Sequence, residues 1–578
     1  MPLIPIDLPP GVFRNGTDLQ SQGRYRDADL VRFADGTLQP VKGWRTKSEG
    51  SVYGKARAMT VWRDNDGTAW VAIGTHARLY AMDRAGVLHD ITPIRATASL
   101  TDPFATVLDS RVITVTDAGH GALAGDSVIF SGATTVGGLM LDRTFVIVEV
   151  LDADSYTVEV GEDETPADAT AGGGGAVTAK YQISPGEFES TLQGGYGNDV
   201  YGAGAYGTPR PETDTPTDVT VWSLDTWGET LVACQNDNGV LYEWALDTTA
   251  PAVPIAGAPT ARGLHVTADR ILMALGANGN PRKVQWSDQE DNTAWAPATD
   301  NYAGDFDLQT AGRLMCAGKV AGGSLLLTDA DAHRARFLGQ PLVYGFDKVG
   351  AGCGAVSQRA LCVVDGRAYW MGQRSFWIYN NYVETLPSEV ADYVFSDINR
   401  GQIQKVSAWH NADYGEIWWF YPSGSSGEID RYVAYSYREN HWTIGGGLKR
   451  LSGSEKGPLA FPLAVDDAGV VYEQEVGSQY GGAAPFAESS DFSIGEGDRV
   501  VSVCRVIPDE RKSGDVEMSI FVRDRPMGVE TAKGPFVLDD QVDVRFTGRL
   551  MRVRYTGAKP VDWRVGRFKL DGTVGGMR

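Results

Sequence analysis

Carboxylates beside tryptophans are the first residues in this 578-residue sequence whose types could do chemistry. Glu416, Glu428 and Asp430 flank aromatic runs that include Trp418 and Trp419. A glycoside hydrolase uses two carboxyl groups, one kept protonated as the acid and one ionised, with rings to stack on sugar. A chain with 74 acidic residues offers many such pairs, so the tryptophans read more simply as sheet core. Asp329, Asp331 and His333, at spacings of two, could ligate a metal from one strand face or one turn. No second ligand group is identifiable, and a solvated loop is the simpler reading. Gly202-Ala203-Gly204-Ala205-Tyr206-Gly207 matches GxGxxG letter for letter. A dinucleotide site needs a strand before that run and a helix after it. Here it sits in a Gly/Tyr tract and is followed by Thr208-Pro209-Arg210-Pro211. Asp64-Asn65-Asp66-Gly67 and Asn236-Asp237-Asn238-Gly239 resemble the start of a calcium loop but lack the glutamate at its twelfth position. They read as hairpin turns at equivalent places in a repeat. The seven histidines are scattered, and none joins a serine in a GxSxG elbow. These patterns assign no catalytic, cofactor-binding or metal-binding residue, and no cofactor is expected.

The elements around these residues repeat. Each unit has a β-branched or aromatic strand, an Asp/Asn/Gly turn, a second strand and an aromatic third strand. One copy runs from Thr60-Val61-Trp62 to Arg78-Leu79-Tyr80-Ala81, and the next from Thr220-Val221-Trp222 to Val240-Leu241-Tyr242-Glu243-Trp244. Later copies hold Arg270 to Trp286, Ser324 to Leu338, Ala360 to Tyr379 and Glu416 to Tyr437, with a shorter one from Ala460 to Glu475. The spacing, on the order of 40–55 residues, is that of propeller blades, and about seven copies are counted. Trp62, Trp222, Trp286, Trp377 and Trp419 fall unevenly within their repeats, which argues against one sugar pocket per blade. Glycine supplies 70 of 578 residues, about 12 %, which fits many tight turns. The expected class is all-β: a β-propeller body with an inserted small β-barrel or sandwich and a C-terminal β-sandwich.

The expected division is an arm and hairpin at 1–58, a propeller at 59–96 and 182–484, an inserted domain at 97–181 and a sandwich at 485–578. Four prolines (Pro2, Pro5, Pro9, Pro10) disfavour helix in the arm, and Asp35-Gly36 predicts a hairpin turn. Such an arm packs either on a neighbouring subunit or as an edge hairpin of its own chain. The formal net charge is −22. Residues 1–58 carry +3 and 485–578 carry +1, which leaves −26 for the middle. Within the middle, 97–181 holds 13 acidic and three basic residues. That domain and the Gly/Tyr-rich run at 194–207 are expected to face outward or toward partners. The acidic balance argues against a protein that grips DNA phosphates. No apolar stretch reaches 18 residues, so no membrane insertion is expected, and the N-terminus lacks the basic region of a secretory signal. Five cysteines without a CxxC pair argue for a reducing compartment and against a disulfide framework.

From Arg270 to Tyr379 the sequence resembles the central region of tail nozzle proteins of short-tailed bacteriophages, the tail tubular protein B family. The matching features come in order: Val284-Gln285-Trp286-Ser287-Asp288, Asn292-Thr293-Ala294-Trp295, Asp305-Phe306-Asp307, Leu325-Leu326-Leu327-Thr328-Asp329, Ala335-Arg336-Phe337-Leu338, the glycines at 350–354, and Ala368-Tyr369-Trp370-Met371. Residues 23–44, ending in Pro40-Val41-Lys42-Gly43-Trp44, are similar to these and to packaged-DNA stabilisation proteins. The insertion looks like a small β domain that recurs in phage structural proteins. The resemblance implies a structural virion component without enzymatic activity, assembled in the host cytoplasm. It implies a hexameric ring in the tail, below the portal and adaptor, which conducts and retains the genome and anchors tail fibres or spikes. Double-stranded DNA would pass through the lumen without sequence-specific binding. Six copies would carry −132 formal charges, and an acidic lumen leaves counterions on the DNA. The alternative is a propeller that degrades or binds host surface polysaccharide, which would need convergent carboxylates near its axis.

Overall fold

The structure is a computed structural model that describes residues 3–17, 20–190, 217–493, 499–510, 514–525 and 528–575. It is all-β, with seven four-stranded antiparallel sheets arranged as blades. Blade 1 is Ala56–Arg63, Ala69–Thr75, Leu79–Met82 and Leu88–Asp90; blade 2 is Trp222–Trp227, Thr230–Gln235, Leu241–Trp244 and Val253–Pro254. Blade 3 is Gly263–Val266, Leu272–Leu275, Lys283–Trp286 and Gly304–Asp307; blade 4 is Leu314–Val320, Gly323–Thr328, Asp331–Gly339 and Val343–Ala351. Blade 5 is Leu361–Val364, Arg367–Met371, Phe376–Tyr379 and Val383–Leu386; blade 6 is Ser407–Asn411, Glu416–Tyr421, Arg431–Ser436 and His441–Gly445. Blade 7 joins Ser452–Ser454, Leu463–Val465 and Val470–Gln474 to Trp44–Ser51 from the other end of the chain. The first strand of each blade packs beside that of the next, and the series returns from Ser452–Ser454 to Ala56–Arg63.

Each blade lies between two others, so both of its faces are buried. Strand Glu416–Tyr421 is buried at every position. Its Trp418 packs with Leu463 and Val465 of blade 7, while Trp419 packs with Tyr369 and Phe376 of blade 5. A strand covered on two faces reads as a continuous apolar run, because polar residues would be desolvated on either side. Close approach between blades needs small residues. A Cβ on Gly74 would run into the Trp222 ring of blade 2.

The reading of residues 1–58 as an extended arm is corrected. Leu3–Ile6 pairs with Phe568–Val574, and Tyr25–Asp29 pairs with Phe486–Ser489. They are edge strands of the two sheets of the C-terminal sandwich. The hairpin Val31–Ala34 and Thr37–Pro40 turns at Asp35 and Gly36, both at positive φ, as the sequence predicts. Trp44–Ser51 then completes blade 7. The N-terminal segment therefore packs within its own chain. The insertion leaves after blade 1 and runs from Ile94 to Gln182 as an eight-stranded unit with its own core around Phe104, Phe130 and Tyr156. Among the described residues, no helix is long and apolar enough to cross a membrane. All five cysteines are free, and only Cys504 is exposed.

Candidate functional site

The structure separates the carboxylates beside the tryptophans. The Glu416 carboxylate accepts Arg32 Nε and Nη2, each at 2.9 Å, and Trp418 Nε1 at 3.0 Å. Asp430 accepts Ser423 N at 2.7 Å and Ser423 Oγ at 2.8 Å. Glu416 and Asp430 lie at opposite ends of one strand pair, since Glu416 faces Ser436 and Tyr421 faces Arg431. That is about 17 Å of strand, whereas a glycosidase pair stands roughly 5–9.5 Å apart. Glu428 accepts Arg57 Nη1 at 2.9 Å and Nη2 at 2.6 Å. Burial opposes its ionisation, but Arg57 and Lys405 outweigh that and hold its carboxyl below the ordinary range. It is suited to pairing charge and not to donating a proton. In the C-terminal sandwich, burial raises the Glu510 carboxyl to about 7.

Asp329, Asp331 and His333 do not form a metal site. Asp331 Oδ1 accepts Thr310 Oγ1 at 2.8 Å and Thr328 Oγ1 at 2.6 Å, with His333 Nε2 at 3.1 Å, while Oδ2 accepts Lys348 Nζ at 2.6 Å. Asp329 instead accepts the backbone N–H of Arg313 at 2.9 Å. Among the described residues, no group of three or more ligating side chains is poised for a metal. Burial opposes ionisation of Asp331, but Lys348 and the threonine hydroxyls outweigh it and bring its pKa to about 2. A depressed carboxylate pKa stabilises the fold above the unfolded value and loses that contribution as pH falls through the folded value. Wild type is therefore expected to lose about 2 kcal/mol more than Asp331→Asn between pH 4 and pH 2. Urea unfolding of both proteins across that range checks it.

The two Asx/Gly turns are not at equivalent places. Residues 64–67 join the first and second strands of blade 1, and 236–239 join the second and third strands of blade 2. Asp64 holds its turn through Thr68 N at 2.7 Å and Trp70 Nε1 at 2.9 Å. The GxGxxG run at 202–207 and the Gly/Tyr tract at 194–207 lie outside the described residues.

The structure also brings together residues that the sequence reading did not single out. Arg262 and Arg313 immediately precede the first strands of blades 3 and 4, while Arg359, Lys405 and Arg450 stand two residues before those of blades 5, 6 and 7. Arg57 is the second residue of the first strand of blade 1. Blade 2 supplies the countercharge Asp218, which pairs with Arg262, with Arg313 Nη1 at 2.5 Å and with Gln404 Nε2 at 2.5 Å. Burial works against its ionisation, and Arg313, Gln404 and Arg262 together keep its carboxyl below the ordinary range. Arg359 Nη2 reaches to the Met59 carbonyl of blade 1 at 3.0 Å. Lys405 lies 3.4 Å from Glu428. Arg450 departs from the pattern and packs over the rings of Trp44 and Tyr472, 4.8 Å from each. A cation near the start of each of these first strands is a pattern that shows in the sequence only once those strands are placed.

Among the described residues these side chains leave little space between them. The cavity left among Asp218, Asn236, Arg262, Arg313, Gln358 and Gln404 is about 10 Å³, scarcely room for a water. Beside it, Ser190 Oγ donates to the Thr217 carbonyl at 3.0 Å, and Gln402 Nε2 donates to the Ser190 carbonyl at 3.0 Å. Arginines paired with ionised carboxylates can brace blades but cannot move a proton near neutral pH. One further grouping has the roles of an acyl-transfer triad: His265 Nε2 is 2.9 Å from Ser324 Oγ, and His265 Nδ1 is 4.0 Å from Asp225. Ser324 is 3 % exposed and His265 4 %, so a substrate carbonyl has no approach.

No family model matches this chain, and no curated protein matches it. Solved structures do. A phage phi92 endosialidase matches at 10 % identity over 64 % of this chain and 63 % of that one, with a TM-score of 0.20. A glycoside hydrolase matches at 11 % identity over 61 % of this chain and 84 % of that one, with a TM-score of 0.19. An exo-beta-1,3-galactanase from Phanerochaete chrysosporium matches at 8 % identity over 92 % of this chain and 100 % of that one, with a TM-score of 0.17. This chain thus spans just under two thirds of the endosialidase. The likeness is one of all-β, propeller-like architecture, shared with proteins named for glycan chemistry. The expectation that the chain is not an enzyme is withdrawn: these matches bear the names of an endosialidase, a glycoside hydrolase and a galactanase, and shared architecture decides neither an activity nor its lack.

Proposed function

We propose that this chain is a component of a short-tailed bacteriophage tail, the nozzle ring below the portal and adaptor. In this reading six copies form a conduit that passes and retains the genome and anchors fibres or spikes. The observation that carries it is the threading of residues 3–51, which place strands in three sheets otherwise built from the far end of the chain. Pulling on the N-terminal segment must then shear three sheets, as suits a part under load. The ordered motifs of the nozzle resemblance also fall within three successive blades, on Lys283–Trp286 of blade 3, Gly323–Thr328 and Asp331–Gly339 of blade 4 and Arg367–Met371 of blade 5. A net charge of −22 suits a wall that DNA slides past. Native mass spectrometry of the purified protein is expected to show a species of six times 62.3 kDa. Gold-labelled antibody is expected to mark the tail of intact particles. A chain that is monomeric and absent from particles overturns the reading.

A second reading, that the chain engages host surface polysaccharide, is favoured by one observation. An open groove on blades 7 and 1 exposes two aromatic rings, Tyr53 and Phe188.

A further inference from the structure

We propose that the groove walled by Tyr53, Phe188, His76, Lys55 and Asp467 binds a saccharide. This inference rests on the second reading above and gives it a site. The groove has a volume of about 550 Å³, within the usual span of small-ligand sites. Four separate pieces of chain build it. Residues 51–55 carry the chain from the last strand of blade 7 into blade 1, and Asp467 sits in the turn between Leu463–Val465 and Val470–Gln474. His76 lies in the turn after Ala69–Thr75, and Phe188 lies on the segment that returns from the inserted domain.

The lining has the chemistry that a sugar needs. Tyr53 is 45 % exposed and Phe188 49 %, although each lies in a concave site. A ring left in water inside a cleft offers an apolar face to the C–H face of a pyranose. The Arg78 guanidinium lies 4.7 Å from the Tyr53 ring centroid and steadies it. Lys55 Nζ and Asp467 Oδ1 pair at 2.6 Å, giving hydroxyls one donor and one acceptor without net charge. His76 Nδ1 accepts the Lys55 backbone N–H at 2.9 Å, so the ring proton is on Nε2 as a further donor. Burial, with Arg57 nearby, lowers the His76 pKa to about 4 and keeps that ring neutral. Gly54 shapes the wall at φ +90, where a Cβ would press on Thr75, Ala77 and His76. Balanced charge and stacking faces select an uncharged or singly charged sugar over a nucleic acid, which the chain's −22 repels.

Saturation-transfer NMR on the full chain tests this with D-glucose, D-galactose, N-acetyl-D-glucosamine and N-acetylneuraminic acid as probes. At least one is expected to receive saturation from wild type. Tyr53→Ala and Phe188→Ala, both at exposed rings, are each expected to reduce the signal tenfold or more, and Tyr53→Phe to retain it. A cosedimentation assay with bacterial lipopolysaccharide runs alongside. Lipopolysaccharide binding that both alanine variants retain, or sugar signals that both leave unchanged, overturns the groove and leaves the glycan reading standing. Silence of all four sugars together with no lipopolysaccharide binding overturns both.

Discussion

Replacing Arg32 by alanine is expected to destabilise the protein by about 3–5 kcal/mol, the cost of leaving buried charges without their partner. Arg32 lies in the hairpin strand Val31–Ala34 and its side chain is 2 % exposed. Its guanidinium bridges Glu416 of blade 6 and Glu475, just past the third strand of blade 7, at 2.9 and 2.5 Å. The Tyr414 ring covers it, with the guanidinium 3.5 Å from the ring centroid. Burial works against the arginine's charge, but Glu416 and Glu475 outweigh it and hold the proton more tightly than usual. Alanine removes the cation and leaves two carboxylates facing each other out of water, at side-chain exposures of 6 % and 9 %. Urea unfolding gives the difference directly. The triple variant Arg32→Met, Glu416→Gln, Glu475→Gln is expected to recover most of the loss, because no charge remains buried. A loss below about 1 kcal/mol for Arg32→Ala would mean that water reaches the carboxylates.

Removing residues 1–51 is expected to abolish the cooperative fold. The truncated chain loses the outer strand of blade 7, an edge strand from each sheet of the sandwich, and the buried side chains Val12, Tyr25, Leu30, Phe33 and Leu38. Open strand edges and bared apolar surface favour aggregation. Limited proteolysis of any soluble fraction is expected to cut first within 452–474 and 486–575, the regions that lost their partners. Adding a 1–51 peptide during refolding is expected to restore soluble protein, since Leu3–Ile6, Tyr25–Asp29 and Trp44–Ser51 pair with strands that the truncation leaves without partners. A truncated chain that melts as sharply as the full one would show the threading to be dispensable.

What was legible in the sequence follows from burial. Runs such as Ala69–Thr75 and Glu416–Tyr421 declared themselves because both faces are covered and every position is apolar or packed. First strands such as Gly263–Val266 and Ser452–Ser454 are only four and three residues long, too short to show a period, and so are hard to read. The closing strand Trp44–Ser51 is mostly exposed and carries little apolar pattern; only its partner Val470–Gln474 makes it a blade strand. The cations near the starts of the first strands were hidden for the same reason, since their placement counts from strands that are hard to read. The groove was hidden by topology, because Tyr53 and Phe188 are brought together only after the inserted domain closes on itself. Carboxylate pairs, by contrast, were visible and empty of meaning: Glu416 is parted from Asp430 by the length of a strand, and Glu428 is taken up by Arg57.

The insertion is tied to the body in one way that matters for how such proteins change. Ile94 and Gln182 are register partners, so the domain departs and re-enters through adjacent points of one ladder. Its hydrophobic cluster is self-contained. Such a module is a plug-in cassette: a foreign domain with neighbouring termini can take its place, or a short turn can cap the stump, while the seven-fold wheel keeps its register. Diversity at that attachment point can accumulate without renegotiating the rest of the molecule.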